Sequence, residues 1–411
     1  RQAKSLFIEA LSVDGPDALN PFVGPGGNSQ STLDLMRIST TDKRESDLYM
    51  WDFRVNNNGL FQTFGNDAGI AMGVEWRQEK YKDDRDPRVD GSHPFEDGII
   101  FDESDVIGMS STADSQGKRD TYSAYAELYL PLIGAANEMK VTKALEVQLA
   151  LRYENPSDFS STTKPKIGFR WAPVHALSIR GSYTEGFRAP NLIQLNQGTI
   201  ARRLQNIEDP LREDVTGSAL DSGDTYRYTT RLGNPNLQPE DAETTLIGFM
   251  FAPRDGALSG FQVGVDWWNI QTKDAVGIID NDDQMALDAL LRSQGSFNPI
   301  VIRAELTPGD IAAFAVWNAN NPDDQRTPVG AATNFISQYI NLEPREIEGY
   351  DAMLMYMTPD TKAGQFTFRG DMTKITKYEQ QGLATEDLLR RNGNPEVRYT
   401  LSVNWDYKAF N

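Results

Sequence analysis

Two histidines, no cysteine and a large excess of carboxylates limit the chemistry open to this chain. His93 falls in a long connecting segment and His175 in a short turn, so neither has the spacing of a metal site or a catalytic dyad. The absence of cysteine removes disulfides, thiolate nucleophiles and thiolate metal ligands. No G-x-S-x-G, P-loop or dinucleotide fingerprint occurs, so no catalytic residue, metal or cofactor is assigned. Acidic residues cluster twice. Between Asp83 and Gly117 ten Asp or Glu face two Arg, and IIDNDDQ follows at 278–284. Oxygen ligands at that density suit calcium, but the twelve-residue calcium-loop pattern is missing and the clusters read as solvated loops. Candidates for ligand contact remain. Asp266 and Trp268, with Gln262, fall on the polar side of one alternating segment, where an indole suits a sugar or an apolar ligand moiety, or packing against protein filling an interior. Arg188 and Asn191 lie in GFRAPN, read as strand punctuation or as direct ligand contact.

Strands must position these residues. In LSIRGSYTEGFR, from Leu177, Ile179, Gly181, Tyr183 and Phe187 alternate with Ser178, Arg180, Ser182, Thr184, Gly186 and Arg188. A period of two marks a β-strand with unlike faces. The pattern recurs near 48–64, 69–82, 119–132, 145–153, 164–172, 242–252, 259–275, 345–358, 365–373 and 397–407, about eleven strands in all. Short links (65–69, 172–176, 359–364) take turns with long ones (83–118, 189–241, 276–344 and a lesser one near 379–395), as in an up-and-down meander with distinct ends. The brief link at 156–163 is the exception.

Apolar faces rich in Leu, Val, Ile, Phe and Trp fit either the core of a soluble sandwich or the lipid face of a membrane barrel. Long strands, polar loops confined to one end, and aromatic residues at strand ends (Tyr122, Trp171, Phe187, Trp267, Trp405, Tyr407) favour the barrel. Glu185, on an apolar face, is then expected near the rim, because charge facing lipid at mid-depth is costly. A formal charge of −19 argues against nucleic acid as partner. No apolar run is long enough for a transmembrane helix, which says nothing against membrane strands.

SYTEGFRAPNLIQL from Ser182, followed by GNPNLQPEDAETTLIGFMF from Gly233, resembles TonB-dependent outer-membrane receptors. So do NPF at Asn20, LYMWDFRVNNNGLFQTFGNDAGIAMGVEWRQEKY from Leu48, GKRDTYSAYAELYLPL from Gly117, GVDWWNIQTKDAVG from Gly264 and EIEGYDAMLMYM from Glu346. The resemblance spans nearly the whole chain. It implies a 22-stranded barrel in the bacterial outer membrane, filled by an N-terminal plug through which the TonB complex acts. Outer-membrane lipid and lipopolysaccharide would surround it. The expected fold is thus all-β, a transmembrane antiparallel up-and-down barrel, with residues 1–411 forming part of it and with neither plug nor closing strands in this chain. Helical spacing at 283–295 and 307–318 is expected as local structure within a large extracellular loop. The expected function is TonB-dependent active uptake of a scarce nutrient, an oligosaccharide or a ferric siderophore. The acidic loops disfavour an anionic chelate by like-charge repulsion and favour a neutral or sugar-like ligand. A passive porin, a soluble β-rich binding protein and a barrel enzyme are the alternatives.

Overall fold

The computed structural model describes residues 1–15, 18–96, 101–381, 386–391 and 393–407. Asp97 of the acidic segment and parts of the link near 379–395 lie outside the described residues. Eleven long strands form one sheet: β1 (Lys43–Thr63), β2 (Asn66–Asp84), β3 (Ser115–Ile133), β4 (Ala144–Pro156), β5 (Thr162–Val174), β6 (Leu177–Arg188), β7 (Glu240–Phe251), β8 (Phe261–Lys273), β9 (Arg345–Met357), β10 (Gln365–Gln380) and β11 (Val397–Asp406). Their order in the sheet is their order in sequence, with every neighbour antiparallel; a two-residue strand, Glu386–Asp387, also pairs with the end of β10. The sheet is open. Its edges are β1 and β11, each exposed along nearly its whole length.

Register turns the two-residue period into rows that cross the sheet. From β4 to β11, Leu145, Trp171, Ile179, Phe249, Val265, Ala352, Met372 and Tyr399 stand opposite one another. One residue along, the facing set is Glu146, Arg170, Arg180, Gly248, Asp266, Asp351, Thr373 and Arg398. A single-residue slip in any strand would put charge into the apolar row, so the pattern itself specifies the pairing.

The connections alternate in length. β1 and β2 join through two residues, Phe64 (φ 50°) and Gly65 (φ 88°), both left-handed as a type I′ hairpin requires. The turn expected at 65–69 is therefore shorter, and Asn66 already pairs with Thr63. Links 134–143, 175–176, 252–260 and 358–364 share this end. Segments 85–114, 157–161, 189–239, 274–344 and 381–396 share the other, with 157–161 as the short exception.

Segments 189–239 and 274–344 fold together into a cap. Four short strands join in the order Val301–Arg303, Ala332–Gln338, Arg227–Leu232, Ile200–Leu204, the middle two parallel. Ile207, Met285, Val301, Ala332 and Phe335 make a core between them. The two expected helices are Asn281–Ser293, capped by Asp280, and Pro308–Asn320, opened by a reciprocal Thr307–Asp310 capping box. They are local structure, as expected, but in a unit built from two loops rather than one. Residues 1–42 carry two helices, Lys4–Leu11 and Gln30–Leu35, and lean on the 85–114 segment through an Ala3–Val106 bridge.

Candidate functional site

The GFRAPN segment leaves β6 and crosses back over the polar face. The buried Arg119 of β3 donates to the Pro190 carbonyl at 2.7 Å, while its guanidinium meets Asp158 at 2.7 Å and covers the Phe159 ring. Pro190 cannot continue a sheet ladder, so pairing stops there. Asn191 then opens the helix Leu192–Asn196: its Oδ1 accepts from the Gln194 amide at 2.7 Å, and the Gln194 side chain accepts from the Asn191 amide at 2.8 Å. That helix packs on Gly117 of β3, where a Cβ would stand 2.8 Å from Tyr81 and 3.2 Å from Leu192. GNPN closes the strap, since Gly233 donates to the Gln197 carbonyl at 3.0 Å and Asn234 to the Gln194 carbonyl at 2.8 Å. The two motifs that carry the sequence resemblance therefore lock each other across the mouth of the sheet.

Arg188 is held at the same level. It forms a two-pronged ion pair with Glu240, whose Oε1 also accepts the Val276 amide at 2.7 Å, tying the stem of the cap to β6 and β7. Asn341 completes the stem by bonding the Gln238 backbone and the Asp274 carbonyl. Deeper on the polar face, Arg180 reaches Asp266 at 2.5 and 2.9 Å although β7 lies between them. The bridge passes over Gly248, where any Cβ would collide with the Asp266 carboxylate. Trp268 lies across Gly349, its Cζ2 2.7 Å from where a Cβ would be, and its indole nitrogen has no partner among the described residues. Of the four candidates, Arg188 and Asn191 thus belong to the strap and stem, and Asp266 and Trp268 to the wall below. A concavity of about 580 Å³ touches Asp266 and Arg180, along with Asp351, Asp371, Thr373 and Arg398.

The family model described as TonB dependent receptor-like, beta-barrel, matches residues 12–411. The chain belongs to that family. The vitamin B12 transporter BtuB of Vibrio cholerae is 22% identical over 229 residues, which are 55% of this chain and 25% of the transporter. Among solved structures, the ferric enterobactin receptor PfeA of Pseudomonas aeruginosa superposes with a TM-score of 0.54 at 14% identity, over 89% of this chain and 40% of that one. The siderophore receptor PirA of Acinetobacter baumannii gives 0.52 at 15% identity, over 89% and 41%. These likenesses show the fold, and the chain spans well under half the length of each.

In a TonB-dependent receptor barrel the apolar rows face lipid, the polar rows line the lumen and the long loops are extracellular. Glu185 sits where this demands, in an outward row with Glu243, Gln271, Glu346 and Glu379 close to the extracellular rim. Tyr122, Trp171 and Trp405 are exposed on the outward face, and Trp267 shares it, donating to Glu348 at 3.1 Å. Several extracellular carboxylates are engaged and others crowd one another: burial and then Asp280 and Asp283 raise the Asp282 pKa, and Glu208 raises that of Glu213. In the cap, buried Arg303 meets Asp209 at 2.6 Å and Asp288 at 2.8 Å, and buried Arg212 meets Asp221 at 3.0 Å and Asp310 at 2.7 Å. Burial alone would raise the Asp288 pKa, but the Asn298 amide, Arg303 and Arg292 hold it below the usual carboxylate range. Asp310 is held down to about 2 by the Thr307 amide and hydroxyl and then by Arg212. Burial pushes Arg227 down despite Asp209 and Asp221. In the 85–114 segment Asp86 and Asp114 accept backbone amides, and Asp105 pairs with Arg88 and Ser5.

Sequence reasoning did not find Arg119, Gly248 or the cap's Arg–Asp pairs. Gly248 was readable only once β6, β7 and β8 were placed in register. Two of the cap pairs, Arg303–Asp209 and Arg212–Asp310, join residues about a hundred positions apart, and for none of the four does alternation carry a signal.

Proposed function

We infer that the intact protein is an outer-membrane receptor that imports a scarce nutrient by TonB-dependent gated binding, without covalent change. The family match over residues 12–411 carries this reading. An open edge in lipid leaves backbone groups that nothing satisfies. The eleven strands therefore work as part of a larger closed barrel, whose plug is the element on which the TonB complex acts. Ligand meets the extracellular cap and strap first and the lumenal wall second. Oligosaccharide and ferric chelate both remain substrate classes, and the curated relative adds a corrinoid. The acidic-loop objection to an anionic chelate is narrowed to the cluster of Asp280, Asp282 and Asp283, because Asp209, Asp288, Asp310, Asp105 and Asp86 are engaged by arginines or backbone amides.

Growth of cells carrying the intact gene on limiting iron chelate, glycan or corrinoid tests the reading. Uptake of one class should need both this gene and TonB. Uptake that persists without TonB would make the barrel a passive porin and overturn it.

A further inference from the structure

The two loops of the cap hold each other more firmly than they hold the wall. Arg212 of the first meets Asp310 of the second at 2.7 Å, and Arg303 of the second meets Asp209 of the first at 2.6 Å, both arginine side chains being 5% exposed. Arg227 donates to the Ala332 carbonyl at 3.0 Å, and the Thr229 and Ser337 hydroxyls bond at 3.0 Å across the parallel strand pair. Parting the loops would strand buried charges and open the core around Phe335, so it is strongly opposed.

The join to the wall has another character. The β8–β9 ladder stops at Thr272–Arg345 and resumes in the same register at Ala275–Leu342. Between them Asp274 has a left-handed φ of 56°, and Pro344 has no N–H to donate. Few-residue breaks of this kind are where a chain can absorb a change of direction. The strap stays with the wall, since buried Arg119 holds Pro190 and the strap helix sits on Gly117. The ties from there to the cap are single hydrogen bonds. Glu240 takes the Val276 amide at 2.7 Å while its other oxygen takes the Arg188 Nε at 2.8 Å, and the Arg188 side chain is 69% exposed. Asn234 donates to the Tyr339 carbonyl at 2.8 Å and Gln338 to the Gly233 carbonyl at 3.1 Å. At the far edge Ala201 donates to Ser111 at 3.1 Å and Ala113 to Thr199 at 3.0 Å. Such exposed ties yield before buried ion pairs do. β6 to β9 have both their neighbours in the sheet, so this balance is a property of the chain itself.

We propose that residues 200–232 and 275–342 form a single gate over the mouth. The two loops swing only as one body, pivoting at the Asp274–Pro344 break, and the Glu240 carboxylate is the latch. The inference goes beyond the uptake reading, because it gives an arriving ligand one moving part in place of two independent loops.

Electron–electron distance measurement on spin-labelled full-length receptor in lipid tests the gate. The chain has no cysteine, so Ala219→Cys and Ala319→Cys, one in each loop, and Ala257→Cys in the opposite link can be labelled in pairs, all three positions being exposed. The Ala219–Ala319 distance should be single and unchanged by Glu240→Ala. Both distances to Ala257 should show a second population whose share relative to the first rises together, about fivefold or more, in that variant. Glu240→Gln should act in the same direction and less, with folding of each variant verified by heat-modifiable migration on gels. A broadened Ala219–Ala319 distance, a change in only one distance to Ala257, or no change in either overturns the proposal. Ile200 and Thr112 are a non-hydrogen-bonded antiparallel pair, suited to a disulfide. Oxidised Thr112→Cys with Ile200→Cys should stop TonB-dependent growth until reductant is added, whereas Thr230→Cys with Ile336→Cys, which joins the two loops, should leave it intact. Growth through the first lock, or reductant-reversible loss under the second, also overturns the gate. The distances need neither ligand nor TonB, so absence of TonB-dependent growth in the unlocked receptor sinks the uptake reading and leaves them to judge the gate.

Discussion

Arg180 and Asp266 meet on the open lumenal wall, with the guanidinium half exposed to the interior. Arg303 and Asp209 meet in the cap with both side chains almost wholly buried. The same chemistry does different work in the two places. The wall has no core of its own: most of its apolar side chains look outward into lipid, and its stability comes from strand pairing and the surrounding bilayer. The cap has a small core of five buried side chains, and opposed Arg–Asp pairs hold two loops as one body. An ion pair near water contributes little, whereas a buried one becomes costly once a partner is removed.

The largest expected effect lies in the cap. Arg303→Ala leaves buried Asp209 without its ion-pair partner and Asp288 with Arg292 alone, a cost of about 3–5 kcal/mol. Amide exchange within 200–232 and 281–338 should quicken while β1 to β11 keep their protection. Equal loss in both regions would erase the distinction. Next comes the wall. Leu149 faces outward at the middle of β4, and Leu149→Arg should cost about 2–4 kcal/mol, seen as a smaller heat-modifiable fraction after refolding into lipid. Its lumenal neighbour Gln148→Arg should change that fraction by about 0.5 kcal/mol or less. Gly248→Ala sharpens the comparison at one residue. The added methyl displaces the Asp266 carboxylate, and overpacking of this kind costs about 1–3 kcal/mol, read from the refolding midpoint in urea. The smallest effect is acid sensitivity of the cap. The Asp310 carboxyl is held at about 2, against about 3.9 in an unfolded chain. Its contribution is therefore complete above pH 4 and lost as pH falls toward 2. Near-ultraviolet dichroism of the cap aromatics should fade in that window before the strand signal changes.

Much of the wall was legible in the sequence because its rule is local. All eleven strands form where Val, Leu and aromatic residues alternate with polar ones, and Glu185 marked the rim by breaking that rule. The cap was only half legible. Asp280 and the Thr307–Asp310 box announce two helices within a few residues, but strands of three to seven residues paired across loops leave no periodic trace. At the site, Arg188 and Asn191 stood out by motif. Their work as clamp and helix cap depends on Glu240 and Gln194, and only the second is close in sequence. Trp268 drew attention as an aromatic on a polar face, while its seat on Gly349 is a product of register.

The hydrogen bond from Arg119 to Pro190 spans 71 residues and has a consequence for biogenesis. It closes only when β3 through β6 lie side by side in register. Seating of the strap would then act as a late proofreading event. A misregistered intermediate would keep its extracellular mouth unlatched, and surface proteolysis between residues 189 and 239 would report it.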